Sequence, residues 1–142
     1  MIKISEKEIN PDELIKVVAN SETGAVVTFT GIVRGRNNGK KVLHLKYEAH
    51  KQMAEKLLKQ LKKRIKKQYS VSGIAIQLRI GTIKAGEISV LIAVSAPHRK
   101  EAFEACHHII DSIKHTLPVW KKEYYEDGSQ WVNGTVVNSA ML

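Results

Sequence analysis

Three segments carry apolar residues at the spacing of an amphipathic helix. Residues 50–69 repeat an apolar side chain every four positions, at Met53, Leu57, Leu61, Ile65 and Tyr69. Residues 97–115 carry a second apolar stripe, made of Ala102, Phe103, Cys106, Ile109, Ile110 and Ile113. The segment INPDELIKVVAN, residues 9–20, combines a capping asparagine and a proline with a short apolar face. The sequence therefore predicts three helices.

Two predicted strands flank a tight-turn signal. Residues 24–35 are rich in β-branched residues, residues 42–49 alternate Leu43, Leu45 and Tyr47 with polar side chains, and Asn38-Gly39 lies between the two segments. This dipeptide strongly favours a two-residue hairpin turn. We therefore expect a β-hairpin across residues 25–49.

The remaining strand signals decide the fold class. Residues 73–81 alternate apolar and polar side chains, whereas residues 88–96 are nearly all apolar, as in a central strand buried on both faces. A short candidate strand follows at residues 130–137. Paired strands between helices predict an α+β fold with a mostly antiparallel sheet, and the length predicts a single domain over residues 1–142.

The charge balance indicates an anionic partner. The chain has 142 residues and carries 23 Lys and Arg against 14 Asp and Glu, a formal net charge of +9. Such an excess attracts nucleic acid, phosphorylated small molecules, acidic proteins or membrane surfaces. Charge alone does not choose among them.

Cysteine usage and hydropathy indicate the compartment. The single cysteine, Cys106, excludes an internal disulfide and fits a reducing cytosol. The N-terminal segment MIKISEKEINPDE is charged throughout, unlike a signal peptide. No apolar run reaches the roughly 18 residues that a membrane helix needs. We expect a cytoplasmic protein.

The predicted helix at residues 50–69 is strongly basic. Its one acidic residue is Glu55, against Lys51, Lys56, Lys59, Lys62, Lys63, Arg64, Lys66 and Lys67. One interpretation is a non-catalytic nucleic-acid-binding module that uses this helix, although no aromatic residues interleave the run to stack on bases. A solvated outer face is the ordinary alternative. Steering of an acidic protein partner is the third.

A candidate anion site lies where the predicted central strand passes into the next helix. In SAPHRKE, Pro97 fits the first helical turn, whose free backbone N–H groups would lie near His98 and Arg99. This combination binds phosphate or carboxylate, and a plain surface turn is the alternative. Arg34, which ends a predicted strand, is a second candidate for the same chemistry.

Two lysines bracket Pro118, the residue that ends the predicted helix. Lys114 lies in the last helical turn, where the helix dipole favours a cation, so capping is a sufficient explanation. Lys121 follows Trp120, whose ring could shield it from water. A partly buried lysine near other cations has a lowered pKa and can act as a general base or a nucleophile.

The cysteine and histidine pattern predicts neither a nucleophile nor a metal site. Cys106 falls on an apolar stripe, which is typical of a buried structural cysteine. The adjacent His107 and His108 point about 100° apart on a helix and cannot easily chelate together. No metal site is therefore expected.

Five segments, in order and suitably spaced, carry a family resemblance. They are GAVVTFTGIVRG, LKYEAHKQMAEK, RIGTIKAGE, SAPHRKEAFEA and LPVWKKE. Together they resemble the large, catalytic subunit of molybdopterin synthase over roughly residues 24–133. The resemblance implies an α/β hammerhead-type fold with an additional antiparallel β subdomain, in agreement with the predicted α+β order.

The resemblance also implies an activity. Such sulfurtransferases convert precursor Z, a cyclic pyranopterin monophosphate, into molybdopterin during molybdenum cofactor biosynthesis. The sulfur donor is the thiocarboxylated C-terminal Gly-Gly of a small ubiquitin-like sulfur-carrier subunit, so no other cofactor is implied. The large subunit is a homodimer, and two small subunits complete a heterotetramer.

Site residues are implied by the matching motifs. The two lysines that the family uses in catalysis fall on Lys114 and Lys121, for acid–base work or for stabilising an acyl intermediate. The implied substrate-binding residues are Ile32, Val33, Arg34, His98, Arg99, Lys114, Lys121, Lys122 and Glu123. The pair matched by His98 and Arg99 is often supplied across the dimer.

Overall fold

Helices and strands alternate along the chain. The computed structural model describes residues 1–126 and 128–131, with the side chains of residues 129–131 excepted. The helices are α1 (Pro11–Val18), α2 (Lys51–Gln68) and α3 (Arg99–Thr116). The strands are β1 (Ile2–Ser5), β2 (Ala25–Ile32), β3 (Arg36–Asn37), β4 (Lys40–Ala49), β5 (Gly73–Arg79), β6 (Gly81–Lys84), β7 (Ile88–Ala96), β8 (Val119–Tyr125) and β9 (Gly128–Trp131). The α+β prediction is confirmed.

The larger sheet has the strand order β1-β5-β7-β2. All neighbours in it are antiparallel except β1 and β5. Helix α1 buries Leu14 and Val18 on one face of this sheet, while α2 and α3 contribute to the larger core that includes Ile92. Strand β7 is therefore covered on both faces, as its apolar sequence predicts. Among the described strands, β2 lies at one edge of this sheet.

The second sheet has the order β3-β4-β8-β9, and β6 also pairs with β4. The expected hairpin across residues 25–49 is wrong, because β2 pairs with β7 rather than with β4. A register shift at Gly31/Ile32 interrupts the pairing, and the chain then passes into the second sheet. The Asn38-Gly39 turn joins only β3 to β4, with φ angles of 51° and 77°.

The predicted helices are confirmed, with two side chains placed differently. Helix α2 buries Ala54, Leu58, Leu61 and Ile65 and exposes most of its basic residues, as a solvated outer face would. Met53 and Phe103 were expected on apolar faces, yet they are 46% and 61% exposed. Within the described residues, none of the helices is long and apolar enough to cross a membrane.

Strand β8 was not anticipated from the sequence. The segment that forms it follows Pro118 and contains two lysines and a glutamate, so it resembles a polar loop. It nevertheless pairs with β4 along seven positions. Of the candidate strand at residues 130–137, Gln130 and Trp131 lie in β9, and the rest falls outside the described residues.

Candidate functional site

A narrow pocket of about 20 Å³ lies where the two sheets meet. The end of β2, the β3–β4 hairpin and β8 form its walls. The lining residues are Ile32, Val33, Arg34, Arg36, Asn37, Val42, Leu45, Lys121 and Glu123. Five of the residues implied by the family resemblance are thus brought together from segments almost ninety residues apart.

Strand alternation turns Lys121 and Glu123 inward. In the register of β4 and β8, Lys121 lies opposite Tyr47 and Glu123 lies opposite Leu45, so all four side chains share the inner face. Lys121 is 6% exposed, and its Nζ lies 3.5 Å from Oε1 of Glu123. Lys122, between them, points to the opposite face, with its amine 5.6 Å from the ring centre of Tyr124. The structure therefore does not bring Lys122 to the pocket.

Burial changes the proton affinity of Lys121. Loss of hydration lowers the pKa of its amine, and the nearby positive charge of Arg34 lowers it further. The carboxylate of Glu123 acts in the opposite direction, yet the net pKa of Lys121 is lowered. A lysine with a lowered pKa releases its proton more readily than an ordinary lysine does, so a larger fraction of it is neutral and able to act as a base.

Glu123 is held as a carboxylate. Burial alone would raise its pKa, but hydrogen bonds from Asn37 and Tyr125 and the charge of Lys121 outweigh burial, so the net pKa is lowered. Asn37 Nδ2 donates to both carboxylate oxygens, at 2.9 and 2.8 Å, and the Tyr125 hydroxyl donates to Oε2. Glu123 thus supplies a fixed negative charge beside the Lys121 amine.

The segment 32–34 forms the rim of the pocket. The Val33 N–H donates to the carbonyl of Glu87, and the Val33 carbonyl accepts from Gly86 N–H, so the backbone is fixed on both sides. Val33 is buried, whereas Ile32 and Arg34 are exposed. This arrangement leaves the Arg34 guanidinium available to an anion that approaches Lys121 from solvent.

Lys114 does not line this pocket. It is half-buried in the last turn of α3 and borders a separate, open groove of about 450 Å³ between α3 and β2. The groove is lined by Val27, Thr28, Phe29, Phe103, Cys106, His107, Ile110, Asp111 and Lys114. Burial raises the pKa of the Cys106 thiol to about 11, which fits the expected structural cysteine.

His98 and Arg99 lie far from the pocket within one chain. Both are exposed at the N-terminal end of α3, and the His98 side chain makes no capping hydrogen bond. The start of α3 lies beside the start of β2, because Ala25 of β2 pairs with Ala96 just before α3. Arg34 follows the end of β2. The eight residues of β2 span about 26 Å, and this length separates His98 and Arg99 from Arg34.

Four further neighbours of the pocket were not predicted from the sequence: Arg36, Asn37, Tyr47 and Tyr125. The available signal was the valine, tryptophan and two tyrosines in VWKKEYY, which are residues that favour strands. An alternating strand there would have placed Lys121 and Glu123 on one face. The partnership with Asn37 depends on a contact across 86 residues and has no local signal.

The buried hydroxyl of Tyr47 supports a stability prediction. Tyr47 is 2% exposed, and within the described part of the chain its hydroxyl makes no well-formed hydrogen bond, although the Ser89 side chain lies close enough to interact with it. Tyr47→Phe is therefore expected to leave the free energy of unfolding unchanged or to raise it, by up to about 1–3 kcal/mol. Tyr47→Ala opens a cavity and should lower that free energy by about 3–5 kcal/mol. Urea denaturation measures both, and a clear loss in Tyr47→Phe would show that the hydroxyl is paired.

Known proteins share this sequence and architecture. The sequence model of the MoaE protein family matches residues 4–116. The chain is similar to the molybdopterin synthase catalytic subunit of Bacillus subtilis, with 43% identity over 138 residues, 97% of this chain and 88% of that protein. The corresponding subunit of Thermoplasma volcanium is 45% identical over 128 residues, 90% of this chain and 93% of that protein.

A solved structure of a molybdopterin synthase has the same fold as this chain. The crystal structure of molybdopterin synthase from Staphylococcus aureus matches with a TM-score of 0.88 and 42% identity, over 92% of this chain and 96% of that chain. Sequence and structure agree over nearly the full length of both proteins. The chain therefore belongs to the MoaE protein family.

Proposed function

We propose that this protein is the catalytic subunit of a molybdopterin synthase and transfers sulfur to precursor Z. The observation that carries the proposal is the buried Lys121 amine, held beside Glu123 and facing the Arg34 rim of a narrow pocket, in a member of this family. The family membership favours this activity over the nucleic-acid alternative for α2.

The site suits two anionic reactants. Precursor Z carries a phosphate, and the sulfur donor is a thiocarboxylate at a chain terminus. Arg34 and Lys121 attract both, and the lowered pKa of Lys121 allows it to move a proton during sulfur attack. The pocket has room for little more than one water-sized group, which suits the tip of a Gly-Gly terminus better than a bulky side chain. The reaction so described requires no metal or further cofactor, and we place it in the cytoplasm.

A second copy of the chain would complete the site. His98 and Arg99 lie at one end of β2 and Arg34 lies at the other, so one chain cannot bring them together. A twofold axis near the middle of the β2 edge strand would set two copies of β2 antiparallel. His98 and Arg99 of each protomer would then lie near Arg34 of its partner. The exposed Phe103 and the groove between α3 and β2 supply apolar surface for this contact.

Mixing two defective variants tests the shared site. Arg34→Ala and Arg99→Ala are each expected to be impaired, because each removes one cation from every site. A mixed dimer contains one site with both substitutions and one site with neither. After subunit exchange, random pairing should therefore restore about a quarter of the wild-type rate. If the activity of an equal mixture stays at the mean of the two variants' activities, Arg34 and Arg99 serve a site within their own chain, and the shared site is wrong.

Reconstitution tests the activity itself. The protein is combined with a thiocarboxylated small subunit and precursor Z, and molybdopterin is measured as its fluorescent oxidised derivative. Product formation that depends on the thiocarboxylate is the expected result. Unmodified small subunit, with a free carboxylate terminus, is the control. Absence of product with both donors would contradict the proposed function.

A further inference from the structure

A short chain of contacts links the β3–β4 hairpin to Lys121. Asn37 Nδ2 lies within hydrogen-bond distance of both oxygens of Glu123, and Oε1 of Glu123 lies 3.5 Å from the Lys121 amine. A carboxylate has only acceptors, so the nitrogen of the amide, rather than its oxygen, must face it. Lys121 and Glu123 are 7% and 3% exposed at the side chain, so water competes little for these contacts.

The backbone of the hairpin places Asn37 for this contact. Asn38 and Gly39 both have positive φ, which gives the tight turn that suits a two-residue hairpin. Asn37 pairs with Lys40 directly before and after this turn, so its backbone position is fixed. Its side chain then reaches across to β8, in the other half of the second sheet.

We propose that Asn37 is a positioning residue for sulfur transfer: its amide fixes the Glu123 carboxylate, and Glu123 in turn fixes the Lys121 amine at the pocket. This inference rests on the proposed function, in which Lys121 handles the proton. Asn37 itself acts through Glu123 and transfers no proton to or from the reactants.

The contacts around Glu123 stabilise its ionised form. The bifurcated, charge-assisted contact from the uncharged Asn37 amide favours the carboxylate over the acid, together with Tyr125 and Lys121. Without the amide contact, burial opposes the charge more strongly and Glu123 is neutralised at a higher pH. A neutral Glu123 can no longer hold the Lys121 ammonium, so the amine leaves its place as the pH falls. Among the described side chains, the charged and titratable groups that face Glu123 are Lys121 and Tyr125 on β8, Tyr47 on β4, Arg36 on β3 and Arg34 after β2.

The first measurement does not depend on activity. In full-length protein labelled with ¹³C-glutamate, the carboxyl signal of Glu123, assigned through Glu123→Gln, is followed against pH. We expect its midpoint to rise by about one pH unit or more in Asn37→Ala. Asn38→Gly is the matched control, because it removes the neighbouring amide and keeps a residue that tolerates positive φ. Asn37→Thr, a good strand former without the amide, replaces Asn37→Ala if that variant does not fold.

The second measurement connects this titration to catalysis. The kcat of Asn37→Ala should fall by about tenfold to a hundredfold at neutral pH, with KM for precursor Z nearly unchanged. The deficit should grow as the pH is lowered, in step with the Glu123 titration. A merely structural role would lower stability and leave the pH dependence of kcat as in the wild type, and that result overturns the proposal.

The two measurements separate the possible failures. If the Glu123 midpoint is the same in Asn37→Ala, Asn38→Gly and wild type, Asn37 does not fix the carboxylate and the inference is wrong. If the midpoint rises but kcat keeps its wild-type pH dependence, the contact exists without serving catalysis, and the inference is again wrong. Absence of product from the wild type itself refutes the proposed function, while the titration still decides whether Asn37 controls Glu123.

Discussion

Removal of the Lys121 amine is expected to lower the rate of molybdopterin formation by about 10²–10⁴-fold, the usual contribution of a positioned acid or base. Lys121→Met is the best form of this change, because it keeps an unbranched apolar stem in the buried position. Glu123 remains hydrogen-bonded to Asn37 and Tyr125 in the variant, so the pocket keeps its shape. Single-turnover assays with the thiocarboxylated small subunit measure the chemical step directly.

The neighbouring lysine provides the matched control. Lys122 lies on the same strand, but its side chain occupies the opposite face of the sheet, beside Tyr124. Lys122→Met removes the same charge from the chain without changing the pocket, and we expect its rate to stay within about threefold of the wild type, since a single remote surface charge is well screened. Comparable losses in both variants would attribute the effect to net charge rather than to the site.

A charge-conserving variant distinguishes proton transfer from charge stabilisation. Arginine remains protonated at all accessible pH values. Because burial and Arg34 lower the pKa of Lys121, we expect the neutral amine to take part, and Lys121→Arg should be nearly as slow as Lys121→Met. Substantial activity in Lys121→Arg would assign Lys121 to stabilising an anionic intermediate instead.

The elements with strong periodicity were predictable from the sequence. The four-residue repeat of α2 and the apolar run of β7 each reflect burial against a large surface, which leaves a clear pattern. Strand β2 was also recognised, but its partner was not. Local turn chemistry at Asn38-Gly39 indicated a hairpin with the next strand, whereas burial of β7 between β5 and β2 decides the pairing.

The residues of the site were predictable only where a local signal or a family motif pointed to them. Local physics singled out Lys121 as one of two lysines near Pro118 and Arg34 as a candidate anion binder, and the family resemblance added Glu123. The structure places these three at one pocket, but it puts Lys114 on a different groove and Lys122 on the outer face. Such assignments depend on which face of β8 each residue occupies, and the polar sequence of that strand resembles a loop.

Gly24→Ala is expected to lower the free energy of unfolding by about 1–3 kcal/mol, through a clash rather than through backbone strain. A β-carbon at this position would overlap the carbonyl oxygen of Pro97. That oxygen belongs to the backbone, so it cannot move aside as a flexible side chain can. The Gly24 N–H also donates to the Ala96 carbonyl, at 3.0 Å, which holds the two segments together.

Another glycine serves as the control for this change. A β-carbon added at Gly35 meets no atom within 4 Å, and the position has no positive φ. Gly35→Ala should therefore be neutral or raise the free energy of unfolding by about 0.4–1 kcal/mol, because it restricts only the unfolded chain. Urea denaturation of both variants measures the difference, and an equal effect would show that the contact at Pro97 has no cost.

The clash at Gly24 also has a consequence for function, because Pro97 directly precedes His98 and Arg99. Relief of the overlap must move the start of α3 away from β2, and with it the two residues that we propose to reach the partner's pocket. We therefore expect Gly24→Ala to weaken binding of precursor Z as well as stability, while Lys121 and Glu123 keep their geometry at the far end of β2. In subunit-exchange experiments Gly24→Ala should then behave as Arg99→Ala does. It should regain activity when mixed with Arg34→Ala, and it should gain nothing when mixed with Arg99→Ala.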